Sequence, residues 1–238
     1  MKTMKTLLAA GVAAASMTMI AAPAVAEVSA SAGVASSYLW RGYDLGSGTP
    51  AVYGDINYSA AGFTTGVWVS SGDTAAGTEY DLYADYTVDL GGVSVSAGVI
   101  NYVYATGAGY LGAGNDTDFG DHTDAYLGLG LGPVAFTAYK QIAGGTEEYT
   151  YYTLSYDIGK FSFLLGTHES IANGATLANG KIADGESESH LNVTYSYNDN
   201  LSFTVSQFVD GQENVDAYAG SGDDDMKFVV SYDMPISM

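Results

Sequence analysis

Alternation of apolar and polar residues is the clearest pattern along this chain. Between Glu79 and Leu90 every second residue is apolar, and the residues between them are polar or acidic. Side chains of a β-strand point alternately to two faces, so this segment predicts a strand with one apolar and one acidic face. The same period recurs in 124–131, 150–158 and 189–197. Such strands suit a soluble β-sandwich or a membrane barrel, because acids stay hydrated on an outer face or in a lumen.

The connections between the predicted strands alternate in length. Short links fall at 61–62, 91–92, 132–133, 159–160 and 198–200, whereas the links at 42–49, 71–78, 105–121, 143–147, 170–186 and 210–224 are mostly longer and polar. Outer-membrane barrels have short periplasmic turns and longer extracellular loops, and a Greek-key sandwich has no reason for this asymmetry. The sequence therefore predicts an all-β fold, a transmembrane antiparallel up-and-down β-barrel with both termini on the periplasmic side.

Twelve strands follow from this alternation. Their predicted spans are 28–41, 50–60, 63–70, 79–90, 93–104, 122–131, 134–142, 148–158, 161–169, 187–197, 201–209 and 225–234. Aromatic side chains near strand ends favour the membrane–water boundary. The candidates for such a girdle are Tyr38, Trp40, Tyr58, Phe63, Phe161 and Tyr197.

The N-terminus has the features of a secretory signal. Two lysines precede an apolar stretch from Leu7 to Ile20, and small residues follow up to Ala26. This order predicts a signal peptide, residues 1–26, cleaved after Ala26, followed by a barrel domain at 27–238 in the outer membrane of a Gram-negative bacterium.

Charge and composition narrow the function. The chain has 27 acidic and 7 basic residues, so the predicted mature chain carries 5 − 27 = −22 formal charges, which disfavours nucleic-acid binding. There is no cysteine to form a disulfide or a thiolate metal site. After Ala26 no window reaches the roughly 18 apolar residues of a membrane-spanning helix.

The first third of the predicted barrel carries several short motifs. It contains Ser36-Ser37-Tyr38-Leu39-Trp40-Arg41-Gly42, Pro50-Ala51-Val52-Tyr53-Gly54, Gly62-Phe63, Gly66-Val67-Trp68 and Glu79-Tyr80-Asp81-Leu82-Tyr83 followed by Tyr86. In these blocks the chain resembles the proteobacterial TorF family of porin-like proteins, also known as Gcw_chp. The resemblance implies an outer-membrane porin-like barrel, without catalytic residues or a defined substrate.

Polar residues on the predicted inner faces are candidates to line a pore. They are Asp55, Asp81, Tyr83, Asp85, Asp89, Asp124, Tyr126, Tyr151, Asp157 and Asn192. A lumen lined by carboxylates raises the local cation concentration and repels anions. Alternatively, these acids hydrate the wall or pair with the few bases. The three tyrosines would narrow the lumen of a twelve-stranded barrel or close it.

Arg41 is the one arginine of the chain and stands among many carboxylates. Its planar guanidinium group can pair with two oxygens, which makes it a candidate rim or constriction residue. The alternative, which we favour, is a structural ion pair that fixes the first loop.

The long loops carry clusters of acids, and clustered carboxylates can bind Ca²⁺. The clusters comprise Asp116, Asp118 and Asp121, then Asp184, Glu186 and Glu188, and finally Asp223, Asp224 and Asp225. Their spacing matches no complete calcium loop, so solvated acidic loops are the simpler interpretation.

Enzymatic activity is not expected. Some twelve-stranded outer-membrane barrels hydrolyse lipids with a Ser/His pair on the lipid-facing wall, but His122, His168 and His190 stand in no recognisable nucleophile motif. The sequence thus predicts a passive channel for small hydrophilic solutes that prefers cations or neutral molecules, with lipid and solutes as its partners. The alternative is a non-conducting barrel that acts through its acidic loops as a structural or surface-interaction protein. Loop 105–121 would decide between them by folding inward or outward.

Overall fold

The computed structural model describes residues 26–106, 118–144, 149–169, 187–211 and 225–237. Within these ranges the chain forms a closed antiparallel barrel and one small separate hairpin. The strands are β1 (Glu27–Ala35), β2 (Leu39–Trp40), β3 (Tyr43–Asp44), β4 (Ala51–Ala60), β5 (Phe63–Asp73), β6 (Gly77–Asp89), β7 (Val93–Tyr104), β8 (His122–Leu131), β9 (Val134–Ala143), β10 (Thr150–Ile158), β11 (Phe161–Glu169), β12 (Glu188–Ser196), β13 (Leu201–Asp210) and β14 (Lys227–Ile236).

Twelve of these strands make the barrel, and each pairs with its neighbours in sequence. The wall runs from β4 to β14, and β1 closes it by pairing with both β4 and β14. This is the predicted up-and-down topology with the predicted number of strands. Among the described residues, no helix is long and apolar enough to cross a membrane.

The two faces of the wall differ as the alternation predicts. On β8, Leu127 and Leu131 are 65% and 64% exposed on the outside, while Asp124 and Tyr126 are buried on the inside. The other strands repeat this arrangement, so the outer surface is a belt of exposed Val, Leu, Ile, Phe and Tyr side chains. The core of the protein is consequently the polar and aromatic interior of the barrel.

Several inner tyrosines lie across a glycine of the adjacent strand and reach a polar group on the strand beyond. The four sets are Tyr53 over Gly33 to Asp233, Tyr83 over Gly66 to Asp55, Tyr126 over Gly98 to Asp85, and Tyr151 over Gly166 to His190. The missing side chain makes room for the ring, since a Cβ atom on Gly98 would lie 2.5 Å from the Tyr126 ring. Each set ties three neighbouring strands together.

Two sequence-based boundaries are wrong. The first strand ends at Ala35, not at 41, because residues 39–44 turn back on themselves inside the barrel. The connection predicted at 71–78 shortens to three residues, 74–76, since the Asp73 carboxylate accepts hydrogen bonds from the N–H groups of Ala75 and Ala76 at 2.8 and 2.6 Å. That capping closes the β5–β6 connection as a tight turn.

Candidate functional site in the barrel lumen

Segment 36–50 forms the most elaborate site of the described residues. It leaves β1, makes the hairpin β2–β3 and returns to β4. We call residues 38–45 the lumen hairpin. Its two-residue turn is Arg41-Gly42, with φ angles of 47° and 89°. Positive φ at both central residues defines the tight type I′ hairpin turn, which an Arg adopts at some cost and a Gly adopts freely.

Asp44 fixes the base of the hairpin. Its carboxylate accepts a hydrogen bond from the Ser37 hydroxyl and from the backbone N–H groups of Gly46 and Gly48, at 3.1 and 3.0 Å for the two amides. The N–H of Leu45 also donates to the carbonyl of Tyr38 at 2.8 Å. The Asp44 carboxylate thus provides hydrogen-bond acceptors for backbone N–H groups that would otherwise lie unpaired in the loop.

Arg41, at the tip of the hairpin, is buried against the wall. Its Nη2 donates to Asp124 Oδ2 at 2.7 Å and to the Tyr102 hydroxyl at 3.1 Å, and its Nη1 donates to the Tyr149 hydroxyl at 3.1 Å. Arg41 is 3% exposed and Asp124 2%. The charge of a buried guanidinium must be paired and hydrogen-bonded, and these three wall groups meet that requirement.

Aromatic rings enclose the same guanidinium. Its Cζ atom lies 4.6 Å from the ring centroid of Trp40, 4.7 Å from that of Tyr151, 4.9 Å from that of Tyr139 and 5.6 Å from that of Tyr149. All four distances are within the range of a cation–π interaction. The ion pair and the rings together form a cage for a cation, and the wall contributes every member except Trp40.

Two tyrosines of the hairpin reach acids of the wall. Tyr38 donates its hydroxyl proton to Glu79 on β6, which also accepts from Tyr104 at 2.8 Å. Tyr43 donates to Glu188 at the start of β12. These contacts attach the hairpin to opposite parts of the wall, and they give each of the two buried carboxylates a hydrogen-bond partner.

Two histidines complete the support. The Nε2 of His168 donates to the backbone carbonyl of Arg41 at 2.8 Å, and its Nδ1 lies 2.9 Å from the Tyr149 hydroxyl. The ring of His190 lies directly beneath Gly42, where a Cβ would approach its Cγ to 2.6 Å, and its Nε2 is 2.8 Å from the Tyr151 hydroxyl. Both histidines are thus committed to holding the turn and its neighbours.

The hairpin meets the wall around its whole circumference. Strands β5 to β13 each place a side chain against it, namely Trp68, Glu79, Tyr102, Asp124, Tyr139, Tyr151, His168, Glu188 and Phe208 in that order. Strands β1, β4 and β14 contribute Ala35, Ala51, Tyr53 and Val229 to the buried cluster that contains Tyr38 and Leu39. At this level the hairpin crosses the lumen from side to side.

The structure gathers only some of the predicted pore-lining residues around the hairpin. Asp124 and Tyr151 contact Arg41 directly. Asn192 accepts a hydrogen bond from His190 at 3.0 Å, one layer further from the long loops. Asp81 lies on the inner face of β6, two residues from Glu79, with its Oδ1 buried and without a hydrogen-bond partner among the described residues.

The other predicted residues lie nearer the rim that carries the short turns. Tyr83 donates to Asp55 at 2.7 Å, and Tyr126 lies beside Asp85. Asp89 and Asp157 are exposed, and Asp89 accepts the backbone N–H of Gly91 at 2.7 Å, which makes it a turn residue. That all of these residues line a pore stays a prediction.

Sequence reasoning missed most of the partners of Arg41. Tyr102, Tyr139, Tyr149 and His168 were not candidates, and Tyr38 and Trp40 were assigned to an outer girdle, although Tyr38 is 1% exposed inside the barrel. The available signal was Gly42, because a glycine within a supposed strand is compatible with a two-residue hairpin turn. Tyr58, Phe63, Phe161 and Tyr197 do lie exposed on the outside.

The acidic loop clusters lie largely outside the described residues. Asp116, Asp184, Glu186, Asp223 and Asp224 cannot be placed, and most of loop 105–121 is likewise beyond the described ranges. Glu188 faces the lumen hairpin instead of a loop cluster. Within the described part of the chain, no group of three or more His, Asp or Glu side chains is arranged to hold a metal ion.

Fold and interior together define a class: a closed twelve-stranded antiparallel up-and-down β-barrel with a hairpin inserted in its lumen. The chain belongs to the family described as "Bacterial protein of unknown function (Gcw_chp)", whose model matches residues 20–229. No curated protein sequence matches the chain.

The solved structures to which the chain is similar have low sequence identity to it. A structure determined in work on the mechanism of in-meso crystallization of membrane proteins is 9% identical, with a TM-score of 0.55, over 87% of this chain and 83% of that one. Pseudomonas aeruginosa OccK10 (OpdN) is 15% identical, with a TM-score of 0.37, over 90% and 71% of the two chains. Pseudomonas aeruginosa OprD is 13% identical, with a TM-score of 0.34, over 90% and 67%.

Proposed function

We propose that this protein is an outer-membrane channel for small hydrophilic solutes, with the lumen hairpin as its constriction. The observation that carries the proposal is the inverted barrel: an exposed apolar belt outside and a polar, acidic interior. A soluble protein does not leave so continuous an apolar surface in water, whereas lipid covers it without cost. The porin character implied by the resemblance to the TorF family is part of this proposal.

The lumen chemistry supports passage of cations or neutral molecules. Inner-face acids include Asp55, Asp81 and Asp85, and the wall contributes no arginine to balance them, since Arg41 belongs to the hairpin. Carboxylates along a narrow, low-dielectric passage attract cations and repel anions. No catalytic step is proposed, because His168 hydrogen-bonds to the hairpin and to Tyr149, and His190 to Tyr151 and Asn192.

Reversal potential tests the selectivity. Residues 27–238, refolded and inserted in a planar bilayer, should give discrete current steps whose reversal potential in a salt gradient favours cations. Asp85→Asn should weaken this preference because it removes an inner-face charge. Asp199→Asn is the matched control, since Asp199 lies exposed in a short turn and should leave the potential unchanged. Anion selectivity in the unsubstituted barrel would refute the proposed preference.

A non-conducting barrel is the second candidate. The observation in its favour is the contact of the hairpin with all the barrel strands, which leaves little cross-section at that level. In that case the long loops would act at the cell surface. Absence of current steps from an inserted barrel, at any voltage and also after removal of the hairpin, would favour this candidate.

A further inference from the structure

We propose that the wall residues around the Arg41 side chain form a binding site for small solutes that carry a guanidinium group, and that Arg41 occupies this site as an internal competitor. The inference rests on the proposed channel, because a solute would reach the site through the lumen. It adds a substrate class, small organic guanidinium compounds, and a binding position to that function.

The wall supplies the elements of guanidinium recognition. Asp124 provides a carboxylate at 2.7 Å from Nη2, and Tyr102 and Tyr149 provide hydroxyl acceptors at 3.1 Å. Tyr139 and Tyr151 present their rings at 4.9 and 4.7 Å from Cζ. A planar, weakly hydrated cation suits rings and hydroxyls around one acid, whereas a compact ammonium group satisfies fewer of these contacts.

The Asp124 carboxylate can accept a further hydrogen bond. Arg41 takes only its Oδ2, and the Oδ1 atom is buried without a hydrogen-bond partner among the described residues. A free guanidinium can pair with both carboxylate oxygens through two parallel N–H groups. The guanidinium of Arg41 is less free to adopt this geometry toward Asp124, because its backbone is held at the turn. The wall is therefore better matched to a mobile guanidinium than to the tethered one that fills it.

The occupant is also the part of the structure that can be exchanged. Arg41 adopts a left-handed conformation, with φ at 47°, that is strained for a non-glycine residue. The hairpin that carries it has only two residues in each strand, and apart from a few backbone hydrogen bonds at its base its support comes from side chains. A solute that took over the contacts with Asp124 would free the turn and move the constriction, so the same site couples binding to passage.

Chemical rescue tests the site without any current. Arg41→Gly removes the guanidinium and keeps a residue that accepts positive φ. Thermal unfolding of the refolded barrel is followed with ethylguanidinium chloride at constant ionic strength, with ethylammonium and sodium chlorides as matched salts. Ethylguanidinium should stabilise Arg41→Gly saturably and bind it at least about tenfold more tightly than the unsubstituted barrel, where Arg41 competes. Ethylammonium should bind at least about tenfold more weakly.

The double variant Arg41→Gly/Asp124→Asn should lose the response to ethylguanidinium. Equal responses with and without Asp124, or to all three salts, would overturn the site. If Arg41→Gly does not refold, the fluorescence of Trp40 is measured instead, in the unsubstituted barrel titrated with ethylguanidinium. Displacement of Arg41 uncovers the Trp40 ring and should change its fluorescence. No saturable change there would overturn the site as well. A barrel that binds ethylguanidinium but never conducts would refute only the channel, and a conducting barrel that does not bind it would refute only the site.

Discussion

The side chains of Arg41 and Asp124 form an ion pair of 2.7 Å in the barrel interior, although 83 positions separate them in the sequence. The pair links the tip of the lumen hairpin to β8. Since both groups are almost fully buried, neither can exchange its partner for water. The position of the hairpin is therefore coupled to the stability of the barrel.

Replacing Asp124 by Asn should expose this coupling. The change leaves the guanidinium buried without a counter-charge, which should lower the free energy of unfolding by about 3–5 kcal/mol unless the hairpin leaves the lumen. Urea unfolding in detergent micelles measures it. Asp157→Asn is the control, because Asp157 is exposed and its loss should change stability by no more than about 0.5 kcal/mol. Equal effects of the two substitutions would show that the ion pair is unimportant.

One glycine of the hairpin and one in the segment that follows it give a sharper comparison. Gly42 and Gly48 both have positive φ, 89° and 73°, so alanine strains the backbone at either position by about 1 kcal/mol. A Cβ at 42 would also meet His190 at 2.6 Å, whereas nothing lies within 4 Å of a Cβ at 48. Gly42→Ala should therefore destabilise the barrel by about 1–3 kcal/mol more than Gly48→Ala, or raise the conductance by expelling the turn. Identical stability and conductance of the two variants would contradict the observed packing.

Tyr38 and Tyr104 both donate hydrogen bonds to Glu79. Comparing them separates the anchoring of the hairpin from the pairing of a buried carboxylate. Tyr38→Phe and Tyr104→Phe each remove one hydroxyl from the same carboxylate, and each should cost about 1–2 kcal/mol. Only Tyr38 belongs to the hairpin, so only Tyr38→Phe should increase the open-channel noise in bilayer recordings. Equal noise from both variants would mean that the hairpin is not mobile enough to act on the current.

The tyrosine–glycine contacts of the wall predict a third stability difference. Gly98→Ala forces the Tyr126 ring away from its place and should lower the free energy of unfolding by about 1–3 kcal/mol. Gly54→Ala is the matched control in another strand, since the nearest atom to its Cβ is the Ser31 carbonyl oxygen at 3.1 Å. In chemical unfolding, the free energy of unfolding of Gly98→Ala should be clearly lower than that of Gly54→Ala. The reverse order would show that the packing of the Tyr126 ring on Gly98 does not stabilise the barrel.

The sequence predicted the barrel because period-2 patterns and loop lengths are local properties. The alternation from Tyr80 to Leu90 can be recognised without knowing which strands lie beside it. The short turns are recognisable by their glycine and asparagine residues. The lumen hairpin is different. Leu39 and Trp40 fit a continuing strand, because nothing local shows that Tyr38 and Arg41 have partners 41 to 127 positions away. The loop expected to decide whether the lumen is filled, 105–121, lies mostly outside the described residues, and the segment that the structure shows inside the barrel is 36–50.

The surroundings of Arg41 likewise could not be predicted, because they depend on contacts between residues far apart in the sequence. Arg41 and Asp124 were both candidates, but no sequence pattern indicated that these two residues form a pair. Tyr102, Tyr139 and Tyr149 were indistinguishable from the other tyrosines of a chain that has 20. Which of these rings surround one guanidinium depends on strand order, register and the closure of the barrel, and all three are non-local.

The conductance of a barrel without its hairpin tests the central claim most directly. Residues 38–45 are replaced by a glycine–serine segment of equal length, and the variant is compared with the unsubstituted residues 27–238 in the same planar bilayer. A matched replacement of the short turn 198–200 serves as control. Small, cation-selective steps are expected from the unsubstituted barrel and the turn control, and steps several times larger from the hairpin variant. Steps of equal size from all three barrels, or no steps from any of them, would contradict the central claim.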